Sequence, residues 1–321
     1  MQLRYYSIIL ICLLQNSAYS MVLLDKQSTY IELNGKFNLK FNYPFNNKGD
    51  SKDRLSINSS VKCLCLQRII EHAQIGFKVE AADILRSDIL EKMEKIKMKE
   101  GYFILKNQKF GSFEYGKRPL VSQSMLISTS KFNVAAGGIN SDWTSYVNLP
   151  DVIAKPGSYL KLESWKVISY ISPETKNFQL GLSYENDRKL IGGGLTYTVS
   201  LTDNMTVSTA ITGEFPWHSE NIKHWYGGLH IKYSKLSGIF SCGNINERNL
   251  YYVNAGIAYH SESNKLSLTY FTSHGEDKLS AHAISLERPL VMNSSYYFDI
   301  VRFNTKEPAG YVFLAGLKLS F

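Results

Sequence analysis

The chain has 321 residues, of which 44% are hydrophobic, 13% aromatic and 20% charged. This composition excludes a disordered or collagen-like chain, and the mean hydropathy of −0.19 is too polar for a bundle of membrane helices. The 36 Lys and Arg exceed the 28 Asp and Glu, but no run of five or six basic residues concentrates the charge. We therefore expect no nucleic-acid partner.

The N-terminus has the pattern of a secretory signal peptide. Arg4 is followed by the short apolar run 8–14, and Ala18 and Ser20 offer small residues before a cleavage point. The run is too short to span a bilayer, which takes about 20 residues of helix. We predict that residues 1–20 are removed and that residues 21–321 form a single domain.

The cysteines do not indicate a disulfide framework or a metal centre. Cys12 leaves with the signal peptide, so an odd number remains, namely Cys63, Cys65 and Cys242. No CxxC pair and no matched histidine pair accompanies them. We expect no metal and no cofactor.

The first segment of the mature chain predicts a long β-strand. Over residues 30–43, polar and apolar side chains alternate without an error. The last segment, residues 311–321, also places aromatic and aliphatic residues on one face and ends on Phe321. Similar stretches between them predict sixteen strands, which begin near residues 30, 57, 72, 101, 110, 159, 177, 190, 204, 223, 237, 249, 265, 279, 292 and 310.

Long strands with one apolar and one polar face favour a membrane-spanning barrel. A sheet in lipid must pair every backbone N–H and C=O group, so it must close on itself. Such barrels have alternating segments of about ten residues and an apolar exterior. The fold class predicted is therefore all-β, a transmembrane antiparallel β-barrel of about 16 strands. A soluble β-sandwich is the alternative, but it rarely has strands this long.

Four segments, in the matching order, resemble the general porins of the Gram-negative outer membrane, and the first of them is the strand over residues 30–43. The C-terminal GYVFLAGLKLSF (310–321) resembles the last strand of that family, which ends in Phe. Residues 166–185, with Tyr170, Ser172 and Pro173, are similar to a strand-turn-strand element of the family. Residues 103–117 resemble the element that precedes its third loop.

The resemblance implies a sixteen-stranded trimer with short periplasmic turns and long external loops. It implies outer-membrane lipid, the barrel assembly machinery and small hydrophilic solutes as partners, and Phe321 as part of the assembly signal. It also implies a third loop folded into the lumen, here from Arg118 to about Gly157, whose acidic Pro-Glu-Phe-Gly-Gly element is not visible in this chain. The charged constriction-loop candidates are Arg118, Lys131, Asp142 and Asp151.

Charged residues of the first strands are the candidates for the pore lining. Rings of Lys or Arg favour anions, whereas Asp and Glu favour cations. The lysines therefore predict a bias toward anions, which the acidic residues partly cancel; ordinary solvation of the lumen is the alternative. The residues on the polar faces are Lys36, Lys40, Lys62, Lys78 and Lys106, with Glu32, Glu80 and Glu114.

No enzyme motif is present in the sequence. There is no G-x-S-x-G elbow, no P-loop and no H-E-x-x-H. The triple glycine 192–194 stands at a strand start and is interpreted as a bend or bulge. We therefore predict a porin that passes small hydrophilic solutes and ions without catalysis.

Two points stay open from the sequence alone. A surface barrel could serve chiefly as an adhesin or host-binding protein, although most of the predicted loops are short. Residues 83–100 have apolar residues at helical spacing, which predicts a helix in the second external loop. Such a helix could latch onto a neighbouring subunit or have no special role.

Overall fold

The structure is a computed structural model that consists almost entirely of antiparallel β-strands. It describes residues 21–26, 29–46, 54–82, 97–132, 166–217, 224–245, 250–275, 278–290, 294–305 and 309–320. The signal peptide predicted over residues 1–20 lies outside this part of the chain. The seventeen strands are β1 (Met21–Lys26), β2 (Thr29–Asn46), β3 (Arg54–Ile70), β4 (Ala73–Ala82), β5 (Lys97–Asn107), β6 (Gly111–Lys117), β7 (Val167–Ile171), β8 (Phe178–Glu185), β9 (Leu190–Thr202), β10 (Met205–Pro216), β11 (His224–Tyr233), β12 (Leu236–Ile245), β13 (Leu250–His260), β14 (Lys265–His274), β15 (Leu279–Pro289), β16 (Ser294–Thr305) and β17 (Ala309–Ser320).

The strands from β2 to β17 form a closed hydrogen-bonded ring. Each pairs antiparallel with the next along the chain, including β9 with β10. The last strand then pairs with the first, from Gly310 opposite Asn46 to Ser320 opposite Lys36. The ring therefore has sixteen strands and no free edge between its first and last members.

One short strand stands beside the ring and was not predicted. β1 pairs with residues 29–33 of β2, the part of β2 that β17 does not reach.

A second difference from the predicted strands concerns β7, which was expected near residue 159 and begins at Val167. Residues 159–165 lie outside the described part of the chain. The other predicted strands are confirmed with starts shifted by a few residues.

The alternation of the sequence becomes the two faces of the ring. In β16, Ser295, Asp299 and Val301 are buried, whereas Phe298 and Ile300 between them are exposed. Successive side chains of a strand point to opposite faces. The exposed apolar residues therefore form the exterior, and the polar positions face the interior.

The two ends of the ring differ in their connections. At the end where β2 begins and β17 ends, called the turn end here, strands are joined by short turns such as 203–204 and 234–235. The opposite end, the loop end, carries the connection 118–166. The long external loops implied by the resemblance do not extend to the last connections of this end, which are as short as 275–278 and 306–308, as the sequence itself predicted for most loops.

The turn between β7 and β8 is a compact structure built around Ser172. The hydroxyl of Ser172 accepts a hydrogen bond from the N–H of Leu180 at 2.9 Å and donates one to the carbonyl of Pro173 at 2.9 Å. Lys176 and Asn177 follow with positive φ angles of 47° and 73°. Asparagine tolerates this conformation better than most residues, which suits the tight return of the chain.

The helix predicted over residues 83–100 is partly wrong. Residues 97–100 belong to β5, where Glu100 pairs with Glu80. Residues 83–96 lie outside the part of the chain that the structure describes. Within that part, no helix is long and apolar enough to cross a membrane.

Candidate functional site

The candidate site is the interior of the ring, where one segment of chain lies against the wall. Residues 118–132 follow β6 and are called the inserted segment here. They contain a helical turn, Val121–Ser124, and a 3-10 turn, Thr129–Lys131. Because their contacts are with the polar face of the closed ring, these residues lie inside it.

The first half of the inserted segment is anchored to β8 and β10. The N–H of Val121 donates to Oγ of Ser183 at 3.0 Å. The hydroxyl of Ser122 and the amide of Gln123 donate to Oε1 of Glu214 at 2.7 and 3.3 Å. Glu214 is only 3% exposed, so its carboxylate has lost its contacts with water. The hydrogen bonds from Ser122 and Gln123 offset the free-energy cost of this desolvation.

The second half is anchored farther round the ring, on β13 and β14. The hydroxyl of Thr129 donates to Oδ1 of Asn254 at 2.6 Å, and Nδ2 of Asn254 donates to Oγ of Ser128 at 3.4 Å. Nζ of Lys265 donates to the carbonyl of Lys131 at 3.3 Å. The segment therefore runs along the wall from β8 to β14.

A set of interior glycines makes room for this segment and is called the glycine track here. A Cβ atom on Gly181 would lie 2.2 Å from Cγ1 of Val121, and one on Gly228 would lie 2.7 Å from Cβ of Ile127. Such distances are shorter than van der Waals contact, so larger residues would displace the segment. The members are Gly181, Gly192, Gly194, Gly228 and Gly256.

The glycine track corrects the interpretation of residues 192–194. These glycines lie within β9, whose register with β8 and β10 is regular across them. They therefore form neither a bulge nor a break in the ladder. Gly192 and Gly194 instead face the inserted segment, where a Cβ would meet Ser122 Oγ at 3.1 Å and Met125 Sδ at 2.8 Å.

The interior wall is partly apolar near the loop end, which was not expected. Val312 and Leu314 are fully buried, although Tyr311 and Phe313 beside them are exposed on the outer face. Leu126 of the inserted segment packs against this cluster. The sequence signal for this apolar patch is the row of alternate residues of β17 that faces the interior, which includes Val312 and Leu314. The buried cluster consists of Tyr226, Leu250, Tyr252, Phe271, Leu279, Ala281, Ala283, Val301, Phe303, Val312 and Leu314.

Two of the lysines predicted to line the first strands, Lys62 and Lys78, lie beside acidic residues. Lys78 forms an ion pair with Glu100, and its Nζ lies 5.1 Å from the ring centre of Tyr102. Lys62 is opposite Glu80 in the register, and Glu80 also lies 3.2 Å from Nζ of Lys99. The positive charge of these two lysines is therefore largely offset.

The other pore-lining candidates are spread along the same wall. Glu32 accepts hydrogen bonds from Tyr30 at 2.9 Å and Asn34 at 2.8 Å, and Lys106 is exposed toward the turn end. For Lys36 and Lys40 the structure describes the backbone pairing, which places them opposite Ser320 and Gly316 of β17. The register thus assigns these positions to the interior face.

Arg118 and Glu114 form a buried ion pair where β6 leads into the inserted segment. The guanidinium lies 5.2 Å from the ring centre of Tyr102, and its Nε donates to the carbonyl of Pro119 at 3.2 Å. Burial lowers the pKa of Arg118, while Tyr102 and Glu100 act to raise it. An arginine in these surroundings stays charged, so the pair holds the start of the segment in place.

The remaining predicted site residues are divided between the described and undescribed parts of the chain. Lys131 is exposed at the end of the inserted segment. Asp142, Asp151 and Phe321 lie outside the described residues, and β17 ends at Ser320.

A group of basic residues on the interior wall near the turn end was missed from the sequence, except for Lys131, which was a constriction-loop candidate. Its members lie on β11, β13, β14 and β17 and at the end of the inserted segment, so no single stretch of sequence brings them together. In the sequence, these residues could have been found only by asking which alternate positions of each strand face the interior. This turn-side cluster consists of Lys131, His230, Lys232, His260, Lys265 and Lys318.

This chain is similar to known proteins mainly in its three-dimensional structure and much less in its sequence. No protein-family model matches the sequence. An uncharacterized protein of Rickettsia bellii (strain RML369-C) is 23% identical, with 69% of this chain and 76% of the relative covered.

Several solved porin structures share the architecture. Salmonella typhi OmpF superimposes with a TM-score of 0.70 at 12% identity, covering 93% of this chain and 99% of that one. The anion-selective porin from Comamonas acidovorans gives 0.62 at 13% identity, with coverages of 91% and 100%. A mutant of the Rh. blastica porin gives 0.63 at 11% identity, with the same coverages. The resemblance stated from the sequence is thus confirmed for the fold.

Proposed function

We propose that this chain, which has the fold of the outer-membrane porins, is itself a porin that lets small hydrophilic solutes and ions diffuse passively. The observation that carries this proposal is the closed ring of sixteen strands with an apolar exterior and a charged interior. Only a closed sheet satisfies its backbone groups in lipid, and a polar lumen is what an aqueous channel needs. The solute crosses down its gradient, so the proposal assigns no covalent step.

The inserted segment is proposed to set the size limit of the channel. It occupies the interior against β8 to β14, where hydrogen bonds to Ser183, Glu214 and Asn254 hold it. A fixed obstacle in the lumen passes small solutes and rejects large ones. The constriction expected between Arg118 and Gly157 is proposed to begin with this segment.

The proposal also covers the export of the protein, its membrane and its oligomeric state. A signal peptide over residues 1–20 would export the chain, and the barrel assembly machinery would insert it into the outer membrane of a Gram-negative cell. Outer-membrane lipid would cover the exposed apolar belt, which includes Phe298 and Ile300. A homotrimer is proposed from the resemblance to the general porins, and one solved relative, OmpT of Vibrio cholerae, is described in a trimer form.

The short connections at the loop end argue against a protein that serves mainly as an adhesin. Residues 186–189, 246–249, 275–278 and 306–308 leave little chain for a binding surface on that half of the ring. A channel needs no such surface. The proposal therefore keeps transport as the main function.

Conductance across a planar lipid bilayer tests the proposal. Refolded protein should produce discrete current steps in KCl, and vesicles containing it should swell in small sugars but not in large oligosaccharides. Protein denatured by boiling and added at the same concentration is the control. A refolded barrel that inserts into the bilayer without conducting would contradict the proposed function.

A further inference from the structure

Positive charge on the interior wall is concentrated in the turn-side cluster and only partly neutralised there. Two of its four lysines, Lys265 and Lys318, lie near the carboxylate of Glu287, and Asp299 also acts on Lys265. On the wall of β3 to β6, by contrast, Lys78 is paired with Glu100 and Arg118 with Glu114. The cluster is therefore a place on the interior wall where the basic side chains outnumber the carboxylates beside them.

One carboxylate is shared between two of these lysines. Oε2 of Glu287 lies 3.8 Å from Nζ of Lys265, and Oε1 lies 3.6 Å from Nζ of Lys318. Glu287 also accepts a hydrogen bond from Ser295 at 2.8 Å. A single negative charge cannot neutralise two ammonium groups. Lys318 is 36% exposed, so its remaining charge is accessible to a solute in the lumen.

Two histidines extend the cluster toward β11 and β13. Nε2 of His230 lies 2.9 Å from Oγ of Ser237, and its ring is 6.3 Å from that of Phe132 at the end of the inserted segment. Imidazole is the side chain that changes charge between about pH 5 and 8. The charged and titratable groups facing the two histidines are Lys131, Lys232, Lys265 and Glu287, together with each other.

We propose that the turn-side cluster attracts small anions and makes the channel select them over cations, and that His230 and His260 strengthen this selectivity as the pH falls. The inference rests on the proposed function and deepens it. The ligands are compact anions such as chloride, phosphate and short carboxylates, which lysine ammonium groups attract as point charges. The cluster extends along the wall from β11 to β17, and β17 is paired with β2, so the cluster adds strands beyond the first four to the origin of selectivity.

The reversal potential in a KCl gradient tests the lysines. In Lys265→Gln/Lys318→Gln, the permeability ratio of chloride to potassium should fall at least about twofold, because positive charge near the ion path favours anions. Lys265→Arg/Lys318→Arg should keep the ratio, and Lys62→Gln/Lys78→Gln, the control on β3 and β4, should change it less. An unchanged ratio in a conducting Lys265→Gln/Lys318→Gln channel, or cation selectivity in the unmutated protein, would overturn the inference. Absence of conductance in the unmutated protein would instead refute the channel and the inference with it.

The same measurement between pH 8 and pH 5 tests the histidines. The chloride preference of the unmutated channel should rise on acidification, and His230→Gln/His260→Gln should flatten this rise. His282→Gln is the matched control, because His282 lies on the outer face of β15, with its ring 4.8 Å from Tyr270. Equal pH dependence in the double variant and the unmutated channel would refute the role of the histidines.

Discussion

Glu214 is a single residue that holds the inserted segment against the wall. Its carboxylate is buried and receives hydrogen bonds from Ser122 and Gln123, both in or near the helical turn. A hydrogen bond to a charged acceptor is worth about 1.5–3 kcal/mol net, more than a neutral one. The position of the segment therefore depends strongly on this side chain.

Replacing Glu214 by alanine should lower the stability of the folded barrel. We expect the free energy of unfolding to fall by about 1.5–3 kcal/mol, because Ser122 and Gln123 lose a charged acceptor. Thermal or urea unfolding of detergent-solubilised protein measures the loss. Glu174→Ala, in the exposed turn between β7 and β8, is the control and should have little effect. Similar losses in both variants would contradict the anchoring role.

Deletion of Phe321 should impair assembly in cells more than stability. The residue continues the apolar parity of β17, so its loss removes one apolar contact worth about 1.5–3 kcal/mol at most. We expect reduced surface levels in cells, whereas refolding from urea into detergent should still give a band that shifts on boiling. Phe321→Tyr keeps the aromatic ring and serves as the control. Equal surface levels of the deletion and the unmutated chain would remove the targeting role.

At the level of elements, the glycine track shows how strands and the inserted segment are fitted to each other. Gly228 and Gly227 are neighbours on β11 but face opposite sides of the sheet. A Cβ on Gly228 would lie 2.9 Å from the carbonyl oxygen of Ile127, whereas a Cβ on Gly227 meets nothing within 4 Å. Only the interior glycine is required by the segment.

This pair of glycines allows a matched test. Gly228→Val should destabilise the barrel by about 1–3 kcal/mol through overpacking and should change the single-channel conductance, because the segment lies in the lumen. Gly227→Val should leave both unchanged within error. Melting temperature and bilayer current measure the two effects. Identical behaviour of the two variants would mean that the segment does not press on the wall at Ile127.

The alternation of the sequence was sufficient for most of the ring strands, whereas a loop inside the ring was expected only from the family resemblance and its contacts were not predicted. The alternation in residues 30–43 and 311–320 predicts the strands that close it, because period two is a local property. The inserted segment has no such period, and its partners, such as Ser183 and Asn254, are distant in the chain. The turn-side cluster was missed for the same reason. β1 was missed because its six residues, MVLLDK, do not alternate.

On the scale of the whole molecule, closure through β2 and β17 makes the sixteen-stranded ring independent of β1. The pairing of β1 uses residues 29–33 of β2, whereas β17 uses residues 36–46. The two contacts therefore do not compete for the same backbone groups.

Removal of residues 21–26 should accordingly leave a closed barrel. We expect far-UV circular dichroism in detergent to stay dominated by β-structure and the band to keep its shift on boiling. Removal of residues 315–320, which takes away about half of the closing ladder, is the control and should abolish the shift. Loss of the folded band after removal of 21–26 would show that β1 is needed for closure.

The enclosure of the inserted segment also constrains the order of assembly. The segment contacts β8 to β14, yet the ring around it closes only when β17 meets β2, strands that are separated by nearly the whole chain. Strand pairings between residues so distant in sequence form late, because closing the long intervening loop costs conformational entropy before the new contacts can compensate that cost. The segment can therefore settle on an open, curved sheet and be enclosed afterwards, with no need to thread through a finished barrel. A folding intermediate with residues 118–132 already docked and the seam still open is the species that this route would accumulate.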